Sequence, residues 1–390
     1  MDSPPDGALT GTTVLDLSTF GPAIRCSRVL ADHGATVVKV GAPPRPGAEP
    51  ALPAFHAYGG HRGMERVLVD LRSDAGRAAF LRLAAHADVV LESFRPGVVD
   101  RLGVGYEAVR AVHPGIVYCS TSGYGQDGPH ARRAGHDLDY LAVGGYLHTS
   151  GRGPDGAPVL PGATVADIAA GGLHAATSIL AALLRRERTG EGSHLDVAVT
   201  DGVVWMLSLY VDEHLATGEL PGPGHDVLTG RYACYGVYGT ADGRWLAVAA
   251  IEPAFWANLC RALGLERWIA HQHDDDRQDA IRADLAAVLA TRDRDAWVDD
   301  LADADTCVAP VNDIAEVVAD PQLAHRGAVV EAEQPGRDPF RQLGPVLAGT
   351  PRRPVHVLPE PGATHVDAVL GRAGFGSDEI ACLRAEGVVA

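Results

Sequence analysis

Asp167 follows Thr164-Val165-Ala166 and opens a long apolar run, the place of a helix N-cap or first-turn carboxylate. Such a site also sets a carboxylate beside free backbone N–H groups. That pairing can stabilise an oxyanion while the carboxylate acts as nucleophile or base. The residues alone leave both readings open. GHDLDY (135–140) joins one His to two Asp, and HQHDDD (271–276) concentrates imidazole and carboxylate further. Both compositions tempt a metal assignment, but nothing fixes a coordination geometry. Hydrogen-bonded loop residues and a solvated acidic loop are the expectation, with no metal. The six cysteines (26, 119, 234, 260, 307, 382) stand singly without a CxxC pair, indicating neither a zinc site nor a disulfide framework.

The chain carrying these groups has 390 residues, enough for two domains. Its 46% apolar and 21% charged residues are an ordinary globular balance that excludes wholesale disorder. Lys and Arg number 33 against 50 Asp and Glu, a net charge of −17. Such a chain has no global field to attract nucleic acid or an anionic membrane, so a polyanionic small molecule must be met by a local arginine cluster. Lys39 is the only lysine. No apolar run approaches the ~20 residues of a membrane span, and MDSPPDGALTGTT lacks the regions of a signal peptide. A soluble, cytoplasmic protein is expected.

The elements that must position these groups alternate along the first two hundred residues. Short Val/Ile/Leu runs at 12–17, 36–40, 66–71, 88–93 and 115–120 read as strands. Helical patterns near 23–33, 74–86 and 106–113 separate them, and a strand at 194–200 follows the long helix from Asp167. This predicts an α/β fold, a doubly wound, mostly parallel sheet covered on both faces. The loop STFGPA (18–23) lacks the G-x-G-x-x-G that lets a backbone approach a pyrophosphate, which argues against NAD or FAD. Residues 41–55 read as a Pro-rich loop and 121–163 as a loop-rich stretch. A hairpin at 231–250 and three amphipathic helical stretches (254–264, 277–291, 294–303) predict a smaller α+β domain. The expected boundaries are a large Rossmann-like domain over 1–200, a linker over 201–229 and the small domain over 230–320. Residues 321–390 should run back and pack on the large domain.

Several segments together resemble one family. They are VLDLSTFGPAIRCSRVLADHGATVVKV (14–40), VVLESFRPGVVDRLGVGYEAV (89–109), IVYCSTSGYGQDGPHARRAGHDLDYLA (116–142), VADIAAGG (165–172), LLRRERTGEGSHLDVAVTDGV (183–203), YGTADGRWLAVAAIEPAFW (238–256) and VAPVNDIAEVVADPQLAHRG (308–327). In order and spacing they resemble the family III CoA-transferase (CaiB/BaiF) superfamily, which includes the α-methylacyl-CoA racemases. The resemblance implies that Asp167 is a nucleophile carrying acyl and CoA groups in the transferase branch, or an acid/base in the racemase branch. His136 matches the racemase histidine and Glu252 the glutamate that orients it, so the racemase branch is the expectation. Glu252 would come from the partner subunit of an interlocked homodimer. Lys39, Arg62, Arg72 and Arg95 match positions that bind CoA, which enters as part of the substrate, with no separate cofactor.

The implied reaction is epimerisation next to the thioester carbonyl of a 2-methylacyl-CoA. One base removes the α-proton and the other returns a proton on the opposite face, through an enolate. Backbone amides at the start of the Asp167 helix are the expected donors to the enolate oxygen. The alternatives are a CoA transferase using Asp167 as nucleophile, and a CoA-binding protein or repurposed biosynthetic enzyme on the same scaffold. Three positions depart from the family pattern: Gly41 where a charged residue is usual, Glu65 in place of a cation, and Ala163 in place of an Asn. Only three methionines are present, so a Met-rich, adaptable acyl surface is not expected.

Overall fold

The computed structural model describes residues 7–19, 21–43, 62–360 and 362–390. The Pro-rich loop expected over 41–55 lies, beyond Pro43, outside the described residues. The chain divides into two units. The first comprises Met1–Gly144, Pro161–Ser208 and Pro321–Ala390, the second Gly145–Leu160 and Leu209–Asp320.

The first unit is built on six strands, β1 (Thr13–Asp16), β2 (Thr36–Gly41), β3 (Glu65–Leu68), β4 (Val89–Glu92), β5 (Val117–Ser122) and β6 (Ser193–Ala198). They form one sheet in the order β3-β2-β1-β4-β5-β6, every pair parallel. Alternation along each strand explains why both faces are apolar. Leu15, Val38, Val67, Val90 and Tyr118 enter one buried cluster, and Val14, Val37, Val89, Val117 and Val197 enter the other. The order reverses between β1 and β4, the switch point at which open parallel sheets leave a crevice beyond the carboxyl ends of their strands.

The helices of this unit are α1 (Pro22–Asp32), α2 (Asp74–Ala84), α3 (Tyr106–Val112), α4 (Asp137–Val143), α5 (His174–Thr189) and α6 (Val199–Met206). Pro22 opens α1, where its missing N–H costs nothing, and the Ser73 hydroxyl caps α2 by accepting from the Gly76 N–H at 3.0 Å. A π-helical turn, Ala166–Leu173, runs directly into α5. The continuous helix Ala166–Thr189 has a mean hydropathy of 1.4 over its most apolar window, so one helix does reach membrane-spanning length and apolarity, against expectation. Ala175, Ala176, Ile179 and Leu183 are buried in the cluster on one sheet face, which accounts for that composition.

Two stretches differ from expectation. The loop-rich stretch 121–163 contains α4 and a short turn at Tyr146–Thr149, and its part 145–160 belongs to the second unit. The expected linker 201–229 divides between the two units after Ser208, and the helix expected over 201–217 is α6 followed by α7 (Ser208–Thr217). Gly202 inside α6 does not break it, and the remaining Gly and Pro of this stretch stand beyond these helices, at 218–224.

The second unit contains the antiparallel sheet β7 (Tyr235–Gly239), β8 (Trp245–Ala249) and β9 (Val308–Pro310), the last a strand absent from the sequence reading. The helices α8 (Pro253–Ala262), α9 (Gln278–Leu289) and α10 (Arg294–Leu301) share its core, with Trp256, Leu259, Ile281, Leu285 and Trp297 buried. Residues 321–390 form a further three-stranded sheet, β10 (Val329–Gln334), β11 (Arg337–Leu343) and β12 (Val355–Val357). Two helices follow, α11 (Val366–Arg372) and α12 (Ser377–Ala385), whose Val366, Val369, Leu370 and Ile380 join the core of the six-stranded sheet. The backbone beside Val389 pairs antiparallel with Val69 at the β3 edge, covering an edge that would otherwise be open.

Candidate active site

A cleft of about 700 Å³ opens beyond the carboxyl ends of the central strands. Its walls are Gly21, Pro22, Ile24 and Arg25 from the start of α1, Ser93–Pro96 after β4, and Thr121–Gly123 from β5. His136, Asp139 and Tyr140 come from the opening of α4, and Thr164 and Asp167 from the π-helical turn. His136 and Asp167 therefore share one cleft.

The two carboxylates of GHDLDY explain how. Asp139 accepts the backbone N–H of His136 at 2.9 Å, closing the first turn of α4. Asp137 accepts the backbone N–H of Asp167 at 2.8 Å and so ties the two segments together. One expectation narrows and another changes. Asp167 lies in the first turn of its helix, not at the N-cap, and among the described residues nothing donates to its carboxyl group. Its own amide is committed to Asp137 and that of Ile168 to the Thr164 carbonyl at 3.0 Å. The expected oxyanion donors are thus already engaged. Ser122, whose buried Oγ in the cleft wall has no partner among the described residues, is a better candidate.

Electrostatics follow from the same packing. Partial burial pushes the Asp167 carboxyl up to about 6, the neighbouring Asp137 adds to that rise, and Arg25 and His136 oppose it. Tyr140, which donates to the Gly135 carbonyl at 2.6 Å, is pushed up to about 12 by burial and by Asp167. At neutral pH the cleft therefore holds a carboxyl close to its titration range beside a neutral phenol. Glu92, at the carboxyl end of β4 beneath this wall, is raised to about 7 by burial while accepting the Phe94 N–H at 2.7 Å.

The π-helical turn is placed by close backbone approach. A Cβ on Gly171 would strike Pro22, one on Gly172 would lie 2.6 Å from the Arg25 Cβ, and one on Gly202 would strike the Ala170 carbonyl. Glycine at these positions lets α1 and α6 press against the turn. Widened π turns of this kind recur at functional sites.

A second cleft of about 450 Å³ lies along the same edge, lined by Leu17 and Thr19, Val40–Pro43, Val69–Arg72, Phe94 and Gly387. Phe94 borders both clefts. Of the cations expected to bind CoA, exposed Arg72 lines this second cleft and exposed Arg95 the first. The other two are engaged within the fold, contrary to expectation. Lys39 is buried, with its Nζ 2.7 Å from Asp16 and 2.6 Å from the Ser18 carbonyl. Arg62 is buried, 2.9 Å from Asp32, and also donates to the Leu343 carbonyl. A cation inside the protein must be neutralised there, so both are used as internal counter-ions. The departure at Glu65 has a local explanation, because Glu65 pairs with Arg372 of α11 at 3.0 Å.

Glu252 stands in the second unit at the N-cap of α8, exposed, and its charge adds to the desolvation that raises the neighbouring Cys307 thiol. In HQHDDD, His271 pairs with Asp274 at 3.2 Å and Asp275 with Arg231 at 2.9 Å. Among the described residues no group of three or more His, Cys, Asp or Glu side chains is arranged to hold a metal ion. Arg25, Asp137, Tyr140 and Arg133 are the site residues that sequence reasoning missed. Asp137 and Tyr140 lay within the quoted GHDLDY motif, but a motif does not say which of its side chains turns toward a cleft.

The human alpha-methylacyl-CoA racemase is 34% identical over 98% of this chain and 97% of its own length. The succinyl-CoA:mesaconate CoA-transferase of Haloarcula hispanica is 33% identical over 95% and 98%. A crystal structure of a CaiB/BaiF family protein from Brucella suis superposes with a TM-score of 0.76 at 29% identity, covering 95% of this chain and all of that one. The sequence description of CoA-transferase family III matches residues 9–365, and the chain belongs to that family.

Proposed function

We propose that this protein is an enzyme that modifies acyl-CoA thioesters, with Asp167 as the reacting group. The observation that carries the reading is the cleft at the sheet's switch point, which collects His136, Asp167, Tyr140 and exposed cations in a chain of net charge −17. The CoA moiety would lie along the carboxyl edge of the sheet, with Arg95 in the first cleft and Arg72 in the second meeting its phosphates.

Two chemistries suit that site. In the first, His136 and Asp167 flank the α-carbon. One takes the α-proton, the electron pair moves into the thioester to form an enolate, and the other returns a proton on the opposite face. A carboxyl near 6 suits such exchange because neither its charged nor its neutral form is rare close to neutrality. Ser122 would donate to the enolate oxygen. In the second, the Asp167 carboxylate attacks the thioester carbonyl and the C–S bond breaks, leaving a mixed anhydride and CoA thiolate. The thiolate then attacks the Asp167 carbonyl, releasing the free acid and leaving an aspartyl-CoA thioester for an acceptor carboxylate. The presence of His136 in the cleft supports the first, and the similarity to named CoA-transferases supports the second.

We further propose that the active species is an interlocked homodimer in which the partner subunit's Glu252 orients His136. Exposed Leu184 (55%) and Trp205 (77%) are apolar side chains that another copy would cover, which supports self-association. Incubation with 2-methylacyl-CoA in D2O should place deuterium at the α-carbon if epimerisation is the activity, and His136→Ala should abolish the inversion. Hydroxylamine trapping of an Asp167 acyl derivative, with no α-exchange and little effect of His136→Ala, would instead select transfer. Neither signal with any CoA thioester would refute the proposal.

A further inference from the structure

Arg25, Arg95 and Arg133 all line the cleft, and among the described residues their side chains join no ion pair or hydrogen bond. The nearby Arg28 and Arg62, by contrast, both pair with Asp32. In a chain with 50 carboxylates, an unpaired arginine in a cleft is an anion site awaiting its anion. Arg95 follows β4, and its charge acts on Tyr140. Arg25 stands elsewhere, on the first turns of α1, and its Cβ packs on Gly172, in the same turn as Asp167. Its charge is also the leading influence that stabilises the ionised Asp167 carboxyl. Arg25 is therefore the cation beside the reacting group, where the acyl part of a thioester must lie.

We infer that Arg25 is a specificity-determining residue that recognises an acyl chain ending in a second carboxylate, so that the preferred substrates are dicarboxylic acyl-CoA thioesters. The inference rests on the thioester reading above and deepens it. A guanidinium can meet a carboxylate through two parallel N–H donors, which a neutral acyl end cannot reproduce. An anion at Arg25 could also be a CoA phosphate, and the experiment separates these sources.

The test measures dissociation constants for succinyl-CoA and for 4-methylpentanoyl-CoA, whose branched end has the shape of a carboxylate without its charge. The wild-type protein should bind succinyl-CoA about tenfold or more tightly than the neutral thioester, the range of a charge-assisted hydrogen bond. Arg25→Gln should erase that preference while leaving the neutral thioester within about twofold, and Arg25→Lys should restore part of it. Equal wild-type affinities would overturn the inference and leave the thioester reading standing. An equal loss for both ligands in Arg25→Gln would overturn it too, assigning Arg25 to the CoA phosphates. Failure of both thioesters to bind the wild-type protein would overturn both the inference and the reading beneath it.

Discussion

Asp167 combines three properties. Its carboxyl borders a cleft, it accepts no hydrogen bond among the described residues, and its proton affinity is raised by burial and then by a second carboxylate that itself holds the Asp167 amide. Asp137 is thus a positioning residue with an electrostatic side effect. Asp137→Asn keeps an oxygen to accept that amide but removes the charge. The Asp167 carboxyl should then titrate below about 6, moving the acid limb of the kcat/KM–pH profile to lower pH. An unmoved acid limb would dissociate the limb from Asp167. Asp167→Asn should lower kcat by about a thousandfold or more under either chemistry, with a thermal midpoint close to wild type because no hydrogen bond to the carboxyl is lost.

The elements around the cleft act through close packing and through a buried acid. Gly202 on α6 faces the Ala170 carbonyl so closely that a methyl group must displace the π-helical turn. Gly202→Ala should therefore cost about 1–3 kcal/mol in a denaturation experiment and lower kcat with it, because Asp167 moves with its turn. Glu92 at the end of β4 makes a different prediction. Burial, Asp100 and Asp196 raise its carboxyl to about 7, against the Ser120 and Phe94 hydrogen bonds that lower it. The unfolded chain gives up this proton near the ordinary value of 4.5, the folded chain only near 7. Its stabilising contribution is full below the first value and is lost as pH rises through the second. On this count the wild-type protein should lose on the order of 3 kcal/mol between pH 5 and pH 8. Glu92→Gln, which has no proton to lose, should flatten that slope. Parallel slopes in thermal melts across this range would remove Glu92 as the cause.

At the scale of the whole molecule, the proposed dimer makes each site depend on two chains. A chain carrying Asp167→Asn and a chain carrying Glu252→Gln should each be nearly inactive alone. Co-expressed in equal amounts they should regain roughly a quarter of wild-type activity, since half the dimers are hybrids and each hybrid keeps one intact site. Activity no greater than the sum of the two variants would place both residues in one chain's site. The same experiment on a sizing column should give twice the monomer mass for all three preparations.

Much of this architecture was legible in the sequence, for a physical reason. Strands of a parallel sheet are buried on both faces and read as near-continuous apolar runs, as in TVVKV and DVVLES, while Pro22, Ser73 and Gly190 punctuate the helices between them. His136 and Asp167 were legible as candidates because their motifs are local. Tertiary structure alone decided which charges are available. Lys39 and Arg62 have the composition of phosphate ligands but are neutralised by Asp16 and Asp32, from residues 23 and 30 positions away. Arg25, inside a stretch that reads as an ordinary amphipathic helix, is left unpaired beside Asp167. A side chain's charge is written in the sequence, but whether it is spent inside the fold or offered to a ligand depends on neighbours that only folding brings together.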